Sequence, residues 1–307
     1  MFIRHELNDA NKISSSVLTF GNFDGMHLGH QKIIRLVENY SKQNNIPSVV
    51  MSFTPHTKSI IFKNKNYRVL TSANCKASIM KNLGIKIYCN INFTKEFSIL
   101  SPESFMQLII NKYNPKYLIL GYDNKFGKEG KGDIEYLEKI NKYSNINIIQ
   151  VNPLKIKGSI VKTTLIKELI LNNNISIANE LIGRKYRIEG IVVKGSSIAR
   201  SIGFPTANIE KNEKKQIIPK DGVYSVNLIF NSAKYKAVCN IGKTPTLNLQ
   251  HCAKIEVHLI NQDIDLYNKN VVIEFNHFIR NEIKFKNKQE LVNQINVDIA
   301  SIEIEGE

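Results

Sequence analysis

One strand-to-helix junction near the N-terminus decides the fold. Ser16–Phe20 (SVLTF) runs directly into Gly21–His30 (GNFDGMHLGH), and a helical pattern follows over about residues 29–44. In an open α/β sheet such a junction binds phosphate groups, because the helix N-terminus presents free backbone N–H groups to the ligand. Gly21 and Gly25 permit a tight turn with a close approach of the backbone. The junction therefore predicts a nucleotide-binding loop at the edge of a parallel sheet.

Two histidines of this loop are candidates for catalysis. His27 and His30 are three residues apart, which places them on one face of the first helical turn. From there they can donate hydrogen bonds to triphosphate oxygens and stabilise charge as a phosphoanhydride bond breaks. A Gly-rich turn with two surface histidines is the simpler interpretation. The ten-residue string between a strand and a helix favours the catalytic one.

Before residue 183 the chain alternates short apolar runs with longer amphipathic ones. Strands are predicted at Ser16–Phe20, Ser48–Phe53, Lys86–Ile91, Tyr117–Gly121 and Asn147–Val151. Helices are predicted at about 29–44, 73–83, 101–112, 133–143, 163–171 and 175–182. This alternation predicts an α/β domain over residues 1–182, with a doubly wound parallel sheet covered by helices on both faces.

After Gly183 the pattern changes to period two. Strands are predicted at Tyr186–Val193, Tyr224–Phe230, Tyr235–Ile241, Lys254–Ile260 and Val271–Phe275, and a helix at about 288–301. Several short strands followed by one helix predict a small antiparallel β-barrel with a terminal helix, over residues 183–307.

The composition limits the possible partners. Forty-two Lys and Arg against 27 Asp and Glu give a net charge of +15, which suits anionic ligands. The lysines are dispersed and only 8% of residues are aromatic, which argues against a nucleic-acid partner. The four cysteines lack metal or redox spacing, the first residues lack the apolar run typical of a signal peptide, and no apolar run is long enough to predict a membrane span. We expect a soluble, cytoplasmic protein that binds small molecules, with no membrane partner; its oligomeric state stays open.

A second loop in the C-terminal half also suits phosphates. Gly195–Asn208 (GSSIARSIGFPTAN) is rich in small residues, which let backbone N–H groups approach a phosphate. Thr206 and Asn208 are two residues apart, so both oxygens point the same way in an extended chain. Such oxygens are hard ligands that suit Mg²⁺ bound with ATP. A plain surface loop is the alternative.

The N-terminal motifs resemble those of a known family. Gly21–His30 looks like the HxGH motif of nucleotidyltransferases, in the form found in bacterial bifunctional riboflavin kinase/FAD synthetases. Ser52–His56 and Gly121–Gly127 are similar to that family's Phe-x-Pro-His element and Gly-x-Asp-x-x-Phe-Gly loop. The resemblance implies ATP binding by Gly21, Phe23, Asp24, Gly25, His27, Gly29 and His30. It implies FMN or ATP contacts for His56, Asp123, Asn124, Lys125 and Phe126.

One element departs from the family pattern. Val161–Lys167 (VKTTLIK) stands where the family has Ile-Ser-Ser-Thr-x-x-Arg, which binds ATP phosphates. Thr163 and Thr164 keep the hydroxyls and Lys167 keeps the charge, so the resemblance implies ATP binding by these three residues. Lysine lacks the bidentate fork of arginine. This departure leaves open that the N-terminal domain has lost adenylyl transfer.

The C-terminal motifs are similar to those of flavokinases. Gly195–Asn208 looks like the Gly-rich loop and Pro-Thr-Ala-Asn element of that family. The resemblance implies ATP binding by Gly195, Arg200, Gly203, Thr206 and Asn208, with Mg²⁺ at Thr206 and Asn208. In Ile255–Leu259 (IEVHL) the family places its catalytic carboxylate at Glu256, which would accept the proton of an alcohol that attacks the γ-phosphate. A solvent-exposed Glu256 is the alternative. The resemblance also implies that Arg280 and Glu282 contact the flavin.

Taken together, the resemblance implies an enzyme that phosphorylates riboflavin to FMN and adenylylates FMN to FAD, using ATP and Mg²⁺ and releasing pyrophosphate. A riboflavin kinase without adenylyl transfer is one alternative. A non-catalytic flavin- or nucleotide-binding protein is another. The presence of Glu256, His27 and His30 speaks against the latter, because binding alone needs no catalytic base.

Overall fold

The chain forms two units, residues 1–163 and 164–307, in a computed structural model. The structure describes residues 1–4, 12–64, 66–141, 145–195, 203–243 and 253–304. No helix within these ranges is long and apolar enough to cross a membrane. The predicted domain boundary at residue 183 lies later in the chain than the division between the units, and it stays a prediction.

Six parallel strands form the sheet of the first unit. In spatial order they are β1 (Phe2–Arg4), β4 (Ile87–Asn92), β3 (Ser48–Thr54), β2 (Ser16–Phe20), β5 (Pro115–Gly121) and β6 (Asn147–Val151). All residues of β2 and nearly all of β3 are buried, which explains their continuous apolar runs.

Helices cover both faces of this sheet. They are α1 (Leu28–Asn44), α2 (Thr57–Ile61), α3 (Ala73–Asn82), α4 (Lys95–Ser98), α5 (Pro102–Tyr113) and α6 (Ile134–Asn141), and a hairpin of β7 (Lys155–Ile156) and β8 (Ser159–Ile160) follows β6. One core cluster joins Leu18 of β2 to α5, and the other joins Val17 of β2 to α1 and α3. Successive residues of β2 thus face opposite cores, and the doubly wound sheet is confirmed.

The strand order places the candidate nucleotide loop at a topological switch point. β3 and β4 lie on one side of β2, whereas β5 and β6 lie on the other. The chain therefore reverses direction between β2 and β5, and the loops that follow these two strands diverge at the carboxyl edge. Open α/β sheets bind ligands in this crevice.

The second unit is a closed barrel, as predicted. Two helices lead into it, α7 (Thr163–Leu171) and α8 (Ile175–Ile182). The barrel order is β10 (Ala207–Lys211), β13 (Ala253–Leu259), β12 (Ala233–Lys243), β11 (Gly222–Phe230), β14 (Asn270–Arg280) and β9 (Tyr186–Val193), with antiparallel neighbours, and α9 (Lys288–Ile304) ends the chain. Buried and half-buried residues alternate strictly along β9, which fits the period-two pattern.

Helix α8 is bonded to the barrel through one buried side chain. Asn179 accepts a hydrogen bond from the Tyr186 backbone N–H at 2.7 Å and donates to the Phe275 carbonyl at 2.9 Å. The amide of Asn179 thereby satisfies backbone groups of β9 and β14 at once. Helix α8 is consequently a structural part of the second unit, although it precedes the predicted boundary.

Candidate active sites

The loop after β2 places the two predicted histidines in direct contact. His27 caps the N-terminus of α1, where its Nδ1 accepts a hydrogen bond from the His30 backbone N–H at 3.3 Å. The two rings stack with centroids 3.6 Å apart and an interplanar angle of 18°. A Cβ at Gly29 would lie 3.2 Å from the His27 ring, so the stack also fills the space beside this glycine. The pair forms one packed unit at the switch point.

Both imidazoles are held in the neutral form. Burial lowers the pKa of His27 from 6.5 to about 4. Burial, together with the electrostatic effect of His27 and of the Lys76 ammonium group, lowers the pKa of His30 well below its usual value. Since Nδ1 of neutral His27 accepts a hydrogen bond, its proton lies on Nε2, which leaves that N–H as a donor for a ligand. The Nδ1 atom of His30 is buried, without a hydrogen-bond partner in the described ranges.

Three other predicted residues of the loop fix its shape. The buried Asp24 carboxylate accepts hydrogen bonds from the backbone N–H groups of Leu70 and Thr71, at 2.8 and 3.2 Å. Phe23 is buried and meets the His30 ring edge-on, with centroids 5.4 Å apart. Gly25 has a φ of 87°, and a Cβ there would lie 2.8 Å from the Leu70 side chain, so only glycine fits.

Asn22 connects this loop to α2, a role that the motif alone does not indicate. Its side chain donates to Thr57 Oγ1 at 2.9 Å and accepts from the Thr57 backbone N–H at 3.2 Å. The preceding residue, His56, caps α2, and its Nε2 lies 3.2 Å from the Tyr67 hydroxyl. The Phe-x-Pro-His element is thereby joined to the nucleotide loop. Only the position of Asn22 inside Gly21–His30 could have indicated this role.

In the loop after β5, two of the predicted residues make contacts within the protein and two are exposed. Phe126 is buried against Phe20, with ring centroids 5.5 Å apart, and Asn124 donates to the Phe20 carbonyl at 3.2 Å. The side chains of Asp123 and Lys125 are exposed at the carboxyl edge of the sheet. The two exposed side chains are the ones available to a ligand.

The divergent element begins at Thr163. Its hydroxyl donates to the Asp24 carbonyl at 3.0 Å, and both residues belong to the first unit. Thr164 is exposed and Lys167 is half-buried on α7. The Thr163 hydroxyl thus already has a protein acceptor.

In the second unit, strand pairing brings the predicted kinase residues together. Asn208 of β10 lies opposite Glu256 of β13 in the antiparallel register. His258 lies two residues from Glu256 on the same face of β13, and Thr206 immediately precedes β10. His258 Nδ1 lies 2.9 Å from the Pro205 carbonyl oxygen, which fixes the segment that leads to Thr206. Asn208 of β10, Glu256 and His258 of β13, and Thr206 just before β10 are thus brought together at one edge of the barrel.

Two glycines, Gly195 and Gly242, allow polar side chains to pack closely against the backbone beside this face. A Cβ at residue 195 would collide with the amide of Asn208, and one at residue 242 would collide with the carboxylate of Glu282. Gly203, also predicted to bind ATP, has a φ of 90° with open space around it. Predicted Arg200 lies outside the described residues. The small residues of the motif thus make room for the polar groups.

Glu256 has a basic neighbour on its own strand. Its Oε1 lies 2.7 Å from Lys254 Nζ, and both side chains are partly exposed. Behind them, burial and the negative charge of Glu256 raise the pKa of the Cys239 thiol, so this cysteine stays protonated. The carboxylate is therefore both accessible and held in place.

Arg280, predicted on the flavin side, is engaged within the protein. Its Nε and Nη2 donate to the buried Asp298 of α9, at 2.9 and 2.8 Å, and its Nη1 donates to the Asn281 carbonyl at 3.1 Å. Gln294 donates to the same carboxylate at 3.0 Å. Arg280 thus joins the end of β14 to the terminal helix, and its contact with flavin stays a prediction.

Comparison with known structures gives a match over the whole chain. A crystal structure titled as a macrolide-efflux protein from Streptococcus pneumoniae has a TM-score of 0.90 and 28% identity, with 98% of each chain covered. Its title names a function that the curated relatives described next do not share. What it has in common with this chain is the fold.

Sequence comparisons identify both halves. The family model described as FAD synthetase matches residues 9–165, and the one described as Riboflavin kinase matches residues 182–304. A protein of Buchnera aphidicola subsp. Schizaphis graminum is 35% identical, with 97% of this chain and 96% of that protein covered. A protein of Bacillus subtilis is 32% identical, with 93% and 90% covered, and one of Escherichia coli K12 is 30% identical, with 95% and 92% covered. All three are named bifunctional riboflavin kinase/FMN adenylyltransferase. The resemblance seen in the motifs is thereby confirmed, and this chain belongs to the family of bifunctional riboflavin kinase/FMN adenylyltransferases.

Proposed function

We propose that this chain makes FMN from riboflavin in its second unit and FAD from FMN in its first. The observation that carries the proposal is the pairing of Asn208 with Glu256. It places the side chain proposed to bind ATP directly across the ladder from the carboxylate proposed as the base. The family membership supports both activities. ATP and flavins are its small-molecule substrates.

In the kinase reaction, Glu256 accepts the proton of the riboflavin 5′-hydroxyl. The hydroxyl oxygen forms a bond to the γ-phosphorus of ATP, the bond from that phosphorus to the β-phosphate oxygen breaks, and ADP leaves. Lys254 holds the Glu256 carboxylate in position at 2.7 Å. His258 fixes Thr206 through the Pro205 carbonyl.

Thr206 and Asn208 suit a magnesium ion that arrives with ATP. Both carry neutral hard oxygens on one face, and Gly195 leaves space for the Asn208 amide. Two neutral ligands do not balance a divalent charge, so the phosphates would complete the coordination. When bound, the ion would neutralise charge on the transferring phosphate.

In adenylyl transfer, the stacked histidines act on the phosphates. An FMN phosphate oxygen attacks the α-phosphorus of a second ATP, and pyrophosphate leaves. His27 and His30, which are neutral in the ligand-free chain, offer ring N–H donors to the oxygens where charge develops. No protein nucleophile is needed, since positioning and charge stabilisation suffice.

The test is to give riboflavin, ATP and Mg²⁺ to the purified chain and to follow FMN and FAD by chromatography. We expect FMN to appear first and FAD to follow. FMN alone would support the kinase-only alternative, which the Val161–Lys167 element motivates. If neither FMN nor FAD forms, the remaining interpretation is a non-catalytic binding protein. A cytoplasmic location stays a prediction; Cys75, Cys89 and Cys239 are buried thiols.

A further inference from the structure

One buried lysine lies behind the nucleotide loop, and the mechanism above does not use it. Lys76, in the first half of α3, has only 6% of its surface exposed. Its Nζ donates to the Ser52 hydroxyl at 3.1 Å and to the Asn22 carbonyl at 3.3 Å. Burial of an ammonium group is unfavourable unless its hydrogen bonds are satisfied within the protein. These two contacts connect Lys76 to β3 and to the loop after β2.

The three polar groups form a closed triangle. The Ser52 hydroxyl also donates to the Asn22 carbonyl, at 3.2 Å. Ser52 belongs to β3, Asn22 to the loop after β2, and Lys76 to α3. The triangle consequently joins three separate elements at the carboxyl edge of the sheet, where the ligand crevice lies.

From Asn22 the connection extends toward both parts of the proposed site. The Asn22 side chain holds Thr57, next to His56, through two hydrogen bonds. Along the chain, the same loop leads to His27 and His30. The charge of Lys76 also reaches His30, because it contributes to the lowered pKa of that imidazole.

We propose that Lys76 is a positioning residue for adenylyl transfer: its ammonium group fixes the Asn22 carbonyl and the Ser52 hydroxyl, and thereby the loop that carries His27 and His30. The proposal rests on the adenylyl-transfer function proposed above. Lys76 acts through the loop and has no assigned contact with the substrate.

The decisive variant is Lys76→Met, which keeps a long apolar stem but removes the donors. FAD formation from FMN should fall by about 10-fold or more, mainly in kcat, because misplacement of reacting groups costs rate. FMN formation by the same sample should be unchanged, and the thermal unfolding midpoint should be unchanged or higher. The matched control is Lys81→Met, at an exposed position on the same helix, which should alter none of these quantities.

A second variant keeps the test valid if Lys76→Met does not fold. Ser52→Ala removes one corner of the triangle with little change in volume, and it should lower kcat for FAD formation several-fold. In both variants the fall should appear in kcat with the KM values for ATP and FMN little changed, a split that a general loss of structure would not produce.

Three results would overturn the proposal. Folded Lys76→Met that forms FAD within about twofold of the wild-type rate would do so, and so would wild-type activity in Ser52→Ala if Lys76→Met is unfolded. A wild type that makes no FAD at all would remove the adenylyl-transfer function itself and the role of Lys76 with it.

Discussion

Asn208 of β10 lies directly across the antiparallel ladder from Glu256 of β13. Residues opposite each other in such a ladder share one face and have closely spaced Cβ atoms. The sequence separates them by almost fifty positions, and it is the barrel register that makes them neighbours. The kinase site therefore depends on how β10 pairs, as much as on the two side chains.

Glu256→Gln tests the proposed base. The amide keeps the size of the carboxylate but cannot accept the substrate proton, so FMN formation should fall by about 10²-fold or more, with riboflavin binding retained. Stopped assays for FMN, with riboflavin binding followed by fluorescence, measure both quantities. Glu210→Gln, at an exposed position of β10, is the control and should stay near the wild-type rate. Near wild-type turnover in Glu256→Gln would reject this residue as the base.

His30→Ala tests the histidine pair. Removal of this ring takes away a donor and the stacking partner of His27, 3.6 Å away. FAD formation from FMN should fall by at least about 10²-fold, whereas FMN formation from riboflavin in the same preparation should be unaffected. A variant that still makes FAD at the wild-type rate would show that the phosphates are stabilised elsewhere.

The stability of the first unit should depend on pH through His27. The folded chain binds this proton only near pH 4, whereas the unfolded chain binds it near pH 6.5. The unfolded state therefore gains protons first, and the stabilising contribution, up to about 3 kcal/mol, is present above pH 6.5 and is lost as the pH falls towards 4.

Urea unfolding at several pH values, monitored by hydrogen exchange in peptides from α1, measures this dependence. In His27→Asn the free energy of unfolding should depend less steeply on pH between 6.5 and 4. The asparagine can still cap α1. An equal slope in both proteins would contradict the lowered pKa of His27.

The division of labour between the units can be tested with two fragments. A fragment that begins at residue 184 should phosphorylate riboflavin and make no FAD, because the two candidate sites share no residue. A fragment that begins at residue 164 should do the same with a higher unfolding midpoint, since it keeps the two hydrogen bonds of Asn179 to β9 and β14. A folded but inactive kinase in the longer fragment would refute the independence of the sites.

The sequence predicts well those elements whose periodicity is long enough to be recognised. β2, β6, α7, α8 and β9 begin and end where the patterns place them. β1, α2 and α4 have three to five residues, too few for a period to show. The sequence pattern does not predict β10, because its residues are ordered by pairing with β9 and β13, which its own periodicity does not encode.

The same limit applies to the site. His27 and His30 could be recognised because a local motif holds them three residues apart. The hydrogen bond between Lys76 and Ser52 could not, because it spans 24 positions and depends on how α3 packs against the end of β3. Arg280 shows the opposite problem: a motif indicates the residue but not that Asp298 of α9 already binds its guanidinium group.

The neutral histidine stack has a consequence for how ATP is taken up. A triphosphate that binds beside two uncharged imidazoles restores their basicity, since its negative charge favours the protonated form. Near neutral pH, loading of the nucleotide should therefore draw protons from the medium. The heat of binding will then include the ionisation enthalpy of the buffer, and its variation among buffers counts the protons that the first unit takes up with each ATP.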